Sequence, residues 1–198
     1  MEGQKLLIIN TALEHFKRYG IKSISVDDLT HSLGMSKKTF YQYFPGKEEL
    51  VKTVLDEMNN RAYHQALDYM KGKSAVQCIR LLMDMHKKAG EVHKEPAFAY
   101  DLRKYYPSLY KKHIADIHLN IKDVLMRHLK QGIDEGVYRA DLDVEMCAVM
   151  YSLIQQAFMR RENEIQDINP KRLIAFTLDS FLRSIVSEEG KSLIKIDN

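Results

Sequence analysis

The segment SVDDLTHSLGMSKKTFYQYFPGKEE, residues 25–49, determines how the rest of this chain is interpreted. Ser25 is typical of a helix N-cap, and Asp28 three residues later completes a capping box, so a helix is predicted to begin at Val26. Gly34 ends that helix after about two turns, because glycine adopts the left-handed conformation at little cost. A short helix, a tight turn and a second helix form the pattern of a helix-turn-helix.

The second helix of this pair follows another N-cap, Ser36. Met35 and Phe40 occupy the two positions of a hydrophobic staple, which fixes the direction in which the helix leaves the turn. Phe40 and Phe44 lie four residues apart and are predicted to face a common core. The other side chains of the helix therefore project elsewhere: Lys37, Lys38, Thr39, Tyr41, Gln42 and Tyr43.

The charge of this segment favours an anionic partner. Asp and Glu are absent between Leu29 and Lys47, whereas Lys37, Lys38 and Lys47 contribute positive charge. Lysines in the first turn of a helix oppose its dipole, a local cost that a bound anion would offset. Ammonium, phenol, hydroxyl and amide groups together suit the phosphates and base edges of double-stranded DNA, which is the partner we predict.

The string LGMSKKTFYQYFPGKEEL, residues 33–50, with the capped helix before it, resembles the DNA-binding domain of the TetR family of transcriptional repressors, over roughly a quarter of the chain. The resemblance implies an all-α fold of nine helices in two domains. A small N-terminal helix-turn-helix head would precede a larger ligand-binding and dimerisation body. It also implies a homodimer that binds a palindromic operator and is released by a small-molecule ligand.

The resemblance assigns DNA contacts to individual residues of the motif. Thr39 and Tyr41 are the better candidates for base edges, since the N-terminal half of a recognition helix enters the major groove. Lys37 and Lys38 would touch either bases or phosphates. Lys38 stands where many relatives carry a small residue such as Gly or Ala.

Other residues of the motif would hold the duplex without reading its sequence. Tyr43 and Lys47 are expected to position the phosphate backbone, and Ser25 to donate to a phosphate from its helix N-terminus. The complete set of candidate DNA-binding residues is Ser25, Ser36, Lys37, Lys38, Thr39, Tyr41, Gln42, Tyr43 and Lys47.

Composition and charge set limits on the possible functions. With 198 residues, 45% of them hydrophobic, the chain can form one sizeable domain or two small ones. Its net charge is +3, and residues 1–47 hold seven Lys/Arg against four Asp/Glu, so the whole surplus lies in the proposed head. This modest surplus indicates that DNA affinity depends on a dimer that pools two such patches. Cys78 and Cys147 are too isolated for a disulfide framework or a zinc site, and buried free thiols are expected.

The sequence contains no apolar run of the roughly 18 residues needed to cross a bilayer. Its N-terminus interrupts the apolar residues with Asn10, Glu14 and His15 and lacks a small-residue cleavage site, which argues against a signal peptide. We therefore expect no membrane partner and a cytoplasmic location.

Helical spacing continues beyond the motif. A first helix ends at Gly20, and Gly46 caps a long helix of residues 47–71 that links head and body. The predicted domains are 1–47 for DNA binding and 48–190 for ligand binding and dimerisation, followed by a loose tail of residues 191–198.

Within the body, helices are predicted to start near Ser74, at Pro96 and after Pro107. The segment GVYRADLD, residues 136–143, is the clearest loop, with Asp141 or Asp143 as the next helix cap. No stretch shows the alternation of a β-strand.

The last two helices, from about Val144 and from Pro170, carry apolar sets that are broad for helices covered on one side only. In the TetR family these two helices form the dimer interface, and the breadth is compatible with that role. A homodimer through the last two helices is therefore expected.

The body is rich in Met, Tyr and Phe, which suit an adaptable apolar pocket, although an ordinary core explains most of them equally well. The candidates for ligand contacts are Met83, His86, Tyr106 and Tyr151. The effector itself is unknown from the sequence.

His113, Asp116 and His118 invite a metal interpretation. His113 and His118 lie five residues apart on different helix faces, however, so a solvated helix surface is preferred. No metal site, cofactor or catalytic residue is predicted.

The sequence leaves three hypotheses about function. The leading hypothesis is a ligand-responsive DNA-binding regulator, which we expect to be a repressor. The second is a constitutive dimeric DNA-binding protein without a ligand switch. The third, a helical enzyme or metal protein that uses the body histidines, predicts bound metal in the purified protein.

Overall fold

The computed structural model describes residues 2–79, 96–160 and 169–194 of the chain. Within these ranges the regular elements are all helices, and Tyr138 and Val186 form an isolated antiparallel bridge. The predicted all-α class is confirmed. The helical segments in chain order are α1 (Glu2–Tyr19), α2 (Val26–Ser32), α3 (Lys37–Tyr43), α4 (Lys47–Met70), α5 (described over 75–79), α6 (Ala97–Tyr105), α7 (Pro107–Asp134), α8 (Val144–Arg160), α9 (Pro170–Ile185) and α10 (Glu188–Ile194).

The described residues fall into two compact units. The first unit takes those within Met1–Ala62 and Lys94–Ile117, and the second takes those within Tyr63–His93 and His118–Asn198. The sequence predicted a DNA-binding domain of residues 1–47 that continues into the linking helix 47–71, and these functional domains stay a prediction. The first unit takes in more of the chain because its core contains apolar side chains from α4 and α6 as well as from the three helices of the head.

The core of the first unit is built from helical stripes that converge on α3. Phe40 of α3 and Phe44, the C-cap of that helix, are fully buried, as their spacing predicted. Burying such a side chain contributes about 1.5–3 kcal/mol, so a head of three short helices depends on these contacts for its stability. The buried partners include Ile8, Ala12, Phe16, Leu29, Leu50, Val54, Phe98 and Leu102.

The second unit has its own core, to which α7, α8 and α9 contribute. Its buried members include Leu125, Leu129, Ala148, Tyr151, Phe181, Leu182 and Ile185. Tyr151 and Phe181 pack with ring centroids 5.3 Å apart. The apolar residues that the sequence placed on the last two helices thus divide between this core and the protein surface.

Residues 136–143 connect α7 to α8, as predicted, but part of this loop is internal. Val137 and Tyr138 are buried, and Arg139 N donates to Ile185 O at 3.0 Å. Of the two predicted caps, Asp143 begins α8, since its Oδ1 accepts from Met146 N at 3.0 Å.

A buried polar pair lies beneath this loop. The Tyr138 hydroxyl and His128 Nε2 are 2.6 Å apart, and both side chains are buried. Burial lowers the pKa of His128 to about 4 and raises the pKa of Tyr138. His128 is therefore neutral at physiological pH.

The expected loose tail of residues 191–198 is wrong in its first four positions, because α10 extends to Ile194. Ser187 caps this helix by accepting from Gly190 N at 2.9 Å, and its hydroxyl donates to Gly136 O at 2.7 Å. Ile194 is buried in the second unit's core. The described chain therefore has a tenth helical segment where nine were expected.

Among the described residues, no helix combines the length and the apolar character needed to span a membrane.

Candidate nucleic-acid interface

The predicted capping box is present at the start of α2. Asp28 N donates to Ser25 Oγ at 3.1 Å, and Ser25 N donates to Asp28 Oδ2 at 2.7 Å. The Ser25 hydroxyl also donates to Asp28 Oδ2 at 2.6 Å, and these bonds lower the pKa of the Asp28 carboxyl. A phosphate bound at this N-terminus would therefore compete with Asp28 for the hydroxyl proton of Ser25.

The turn between α2 and α3 has the geometry that the sequence indicated. Gly34 has φ +60°, a left-handed conformation that most other residues would adopt only with strain. Met35 N then donates to Thr30 O at 3.0 Å, and Thr39 N donates to Ser36 Oγ at 3.1 Å. The direction of α3 is thus fixed by its N-cap and by the burial of its apolar face.

The opposite face of α3 is available to a partner. Ser36, Lys37, Lys38 and Gln42 are exposed, and Tyr41 is 51% exposed in spite of its large ring. Tyr41 also packs edge-on against the buried Phe40 ring, with centroids 5.5 Å apart. The phenol is therefore supported from below while its outer part remains free to meet a base edge.

Thr39 and Tyr43 are less accessible than the other candidates. Both are half-buried, the Thr39 hydroxyl lies 2.9 Å from the Ser36 hydroxyl, and Tyr43 packs against the core of the first unit. Of the two residues predicted to read bases, Tyr41 is thus the more accessible in this structure.

An acidic side chain from outside the acid-free segment 29–47 lies beside the exposed face of α3. Lys37 Nζ lies 2.7 Å from Asp27 Oδ1, and both side chains are exposed. The bond to Asp27 raises the pKa of Lys37, so the Lys37 ammonium stays protonated at neutral pH. Because an exposed ion pair is screened by water and salt, a DNA phosphate could replace Asp27 at little cost.

Lys47 bonds within the first unit. Its Nζ donates to Ile21 O at 2.6 Å, and the side chain is half-buried. Burial lowers the pKa of Lys47, and the nearby charge of Lys22 adds to this effect. An ammonium group has three donors, so two remain for the phosphate that the sequence assigned to Lys47.

All nine candidate DNA-binding residues lie in the first unit: Ser25 and Ser36 are the N-caps of α2 and α3, Lys47 is the first residue of α4, and the other six lie on α3. Sequence reasoning did not find Asp101 of α6, whose Oδ2 accepts from Lys22 N at 2.7 Å. No local pattern could have shown this contact, because the two residues are 79 positions apart in the chain.

The candidate ligand contacts do not form a group. Met83 and His86 lie outside the described residues. Tyr106 is half-buried against the core of the first unit, whereas Tyr151 is buried in the core of the second. Their role in ligand binding stays a prediction.

A small cavity of about 10 Å³ opens in the first unit between α4 and α7. It holds about one water molecule, which is too small for an organic effector. Its lining is Lys52, Leu55, Asp56, Leu109, Lys112 and His113. Over the part of the chain that the structure describes, no three His, Cys, Asp or Glu side chains are grouped as metal ligands.

Similarity to known proteins agrees with this geometry. Residues 8–54 match the family described as bacterial regulatory proteins, tetR family. The HTH-type transcriptional regulator EthR of Mycobacterium tuberculosis (strain ATCC 25618 / H37Rv) is 41% identical over 61 residues, which is 31% of this chain and only 28% of EthR. The HTH-type transcriptional repressor KstR2 of Rhodococcus jostii (strain RHA1) is 19% identical over 149 residues, 73% of this chain and 72% of KstR2. The matched family and both relatives are transcriptional regulators, not enzymes.

The similarity of fold extends over most of the chain. A TetR-family transcriptional regulator from Pectobacterium atrosepticum superposes with a TM-score of 0.70, covering 95% of this chain and 96% of that one at 18% sequence identity. The predicted TetR-like fold is thereby confirmed.

Proposed function

We propose that this chain represses transcription as a homodimer bound to a palindromic operator, because residues 8–54 match the tetR family of bacterial regulatory proteins. A small-molecule ligand would release the DNA. The observation that carries the proposal is the exposed face of α3, held outward by a capped turn and a buried aromatic pair.

Direct contact with DNA follows from what this face offers. Lys37 and Lys38 supply positive charge for phosphates, while Tyr41 and Gln42 supply donors and acceptors for base edges. Phe40 and Phe44 are buried in the core on the opposite face of the helix. The exposed groups therefore cannot rotate inward unless these two rings leave the core. A recognition helix in the major groove needs this combination of a fixed axis and an accessible polar face.

Self-association is supported by an uncovered apolar surface on α8 and α9. Met146, Met150 and Leu153 lie at i, i+4 and i+7 on α8, and they are 55%, 41% and 59% exposed. Phe176 of the adjacent α9 is 69% exposed. Large apolar side chains gathered on one face favour burial against a partner, and a second copy offers the same face in return.

A dimer explains how a modest surplus of positive charge in each subunit can suffice for DNA binding. Two copies place two α3 helices on one duplex, in half-sites about 34–36 Å apart or a multiple of that spacing. A ligand that prefers another conformation of the dimer would change this separation and lower the affinity. Such a ligand would act through α4, whose residues belong to both units. Repression, as opposed to activation, is inferred from the likeness to KstR2.

Selection of bound fragments from the source genome with the purified protein tests this function. We expect enrichment of one inverted-repeat sequence, with affinity that falls steeply as salt rises. Lys38→Gln should reduce the slope of log affinity against log salt by roughly 2 per dimer, since each lost phosphate contact removes about 0.9. Lys71→Gln, at an exposed position after α4, is the matched control and should leave the slope unchanged. Failure to enrich any sequence would overturn the proposal.

A further inference from the structure

The side chain of Asp101 ties α6 to the loop that precedes the helix-turn-helix. Asp101 is only 8% exposed, and its Oδ2 accepts from Lys22 N at 2.7 Å. A buried carboxylate lowers stability unless it is paired or hydrogen-bonded, so loss of this hydrogen bond would destabilise the fold. Asp101 lies outside residues 8–54, the segment that resembles the DNA-binding family.

The loop is shaped to receive this carboxylate. Gly20 has φ +83°, and a Cβ added there would lie 2.7 Å from Asp101 Oδ2 and 3.4 Å from Ala97 Cβ. Gly20 is thus required both by its backbone conformation and by the space that α6 occupies. The end of α1 and the carboxylate of Asp101 therefore fit closely.

The same loop is bonded to the N-terminus of α4, directly behind the recognition helix. Ile21 is fully buried between Gly20 and Lys22, and its carbonyl oxygen accepts from Lys47 Nζ at 2.6 Å. Asp101 is therefore bonded to the loop through the Lys22 amide N–H, and Lys47 is bonded to it through the Ile21 carbonyl oxygen. Displacing the loop would therefore displace the Lys47 ammonium as well.

Asp101 has little freedom to move, because its neighbours on α6 are part of the core. Phe98 and Leu102 are buried in the same cluster as Phe16, Phe40 and Leu50. Helix α6 is thus packed into the first unit on both sides of Asp101, and the carboxylate is a fixed point for the loop.

We propose that Asp101 is a positioning residue for DNA binding, which sets the Gly20–Lys22 loop and, through the Ile21 carbonyl, the place of Lys47 at the duplex. This inference rests on the proposed function and adds to it a residue outside the recognised DNA-binding segment. Asp101 itself does not touch DNA. Its loss lowers affinity by reducing the fraction of molecules whose loop is in the binding position.

Operator affinity of two Asp101 variants tests the proposal. Asp101→Ala deletes the acceptor and should weaken binding about tenfold, the effect expected if the loop is in position one tenth of the time. Asp101→Asn keeps an oxygen that can accept from Lys22 N and should retain affinity within about threefold of wild type. Active fractions from stoichiometric titration separate weaker binding from loss of folded protein. Asp101→Ser, with a side chain too short to span the bond, replaces the Ala variant if that protein does not fold.

A double-mutant cycle distinguishes positioning from a general structural role. In a Lys47→Gln background, Asp101→Ala should cost less than about threefold, because the group that it positions is already gone. In a Lys38→Gln background it should still cost about tenfold, since Lys38 lies on α3 and is not bonded to the loop. Equal losses in both backgrounds would overturn the inference, as would Asn behaving like Ala. Wild-type protein that binds no selected duplex would instead refute the proposed function, whereas wild type and Asp101→Ala binding equally would refute this inference alone.

Discussion

Lowering the pH from about 7.5 to about 5.5 should destabilise this protein by about 1.3 kcal/mol through His128 alone. Burial lowers the pKa of the folded His128 to about 4, from an ordinary value of 6.5. The unfolded chain therefore takes up a proton more readily as pH falls through this window. Stability from this group is complete above pH 6.5 and is lost progressively toward pH 4. Glu135 opposes the shift through its charge, but the desolvation of the ring has the larger effect.

The assay is urea denaturation at fixed protein concentration and at the two pH values, on wild type and on His128→Gln. The chain has eight histidines in all, so the informative quantity is the difference between the two proteins. At neutral pH the variant should be less stable, because it loses the 2.6 Å contact with the Tyr138 hydroxyl. At the lower pH that difference should shrink by about 1.3 kcal/mol.

Tyr138→Phe is the matched control, because it removes the same contact and leaves the imidazole buried. It should lower stability by about 1–3 kcal/mol, as expected when a buried polar group loses its partner. Its pH dependence should remain like that of wild type, since burial is the main cause of the His128 shift. A His128→Gln variant that keeps the full pH dependence of wild type, or a Tyr138→Phe variant that loses it, would contradict burial of His128 as the cause.

Three further substitutions have defined outcomes. Gly132→Ala should destabilise the second unit by about 1–3 kcal/mol or more in urea denaturation, because the added methyl would overlap the Tyr138 ring. Ser36→Ala should cost about 1 kcal/mol by the same method through loss of the α3 N-cap, and an unchanged midpoint would contradict that role. Phe176→Lys should shift sedimentation from dimer to monomer, whereas Leu119→Lys, at an equally exposed residue of α7, should not. Both variants sedimenting alike would count against the α8–α9 interface.

Local chemistry explains which parts of the fold could be predicted from the sequence. The Ser25 and Ser36 caps, the Gly34 turn and the start of α7 at Pro107 depend on residues within four positions of each other. All the residues that make up such a signal lie within a short window of sequence. The structure has each of them where the sequence placed it.

The parts that the sequence did not predict depend on residues far apart in the chain. Asp101 and Lys22 are 79 positions apart, and the loop they join has no motif of its own. The first unit extends past residue 47 because α6 packs into the core of the head, a contact that no local sequence pattern indicates. Ion pairs between helices, such as Lys37 with Asp27, require the interhelix angle to be known.

The extra helix α10 is a related case. The residues after Gly190 carry too few apolar side chains to indicate a helix on their own. Burial of Ile194 in the second unit and the cap from Ser187 supply what local propensity lacks. Tertiary packing, and not the local sequence pattern alone, therefore stabilises α10.

Photo-crosslinking from Tyr41 tests most directly whether the exposed face of α3 meets DNA. A benzoylphenylalanine in place of Tyr41 should crosslink to the selected duplex in an operator-dependent manner, because that side chain is 51% exposed on α3, the proposed recognition helix. The same probe at Tyr69, which is 37% exposed near the far end of α4, should not crosslink. Crosslinks from Tyr69 together with none from Tyr41 would contradict the assignment of α3 as the recognition helix.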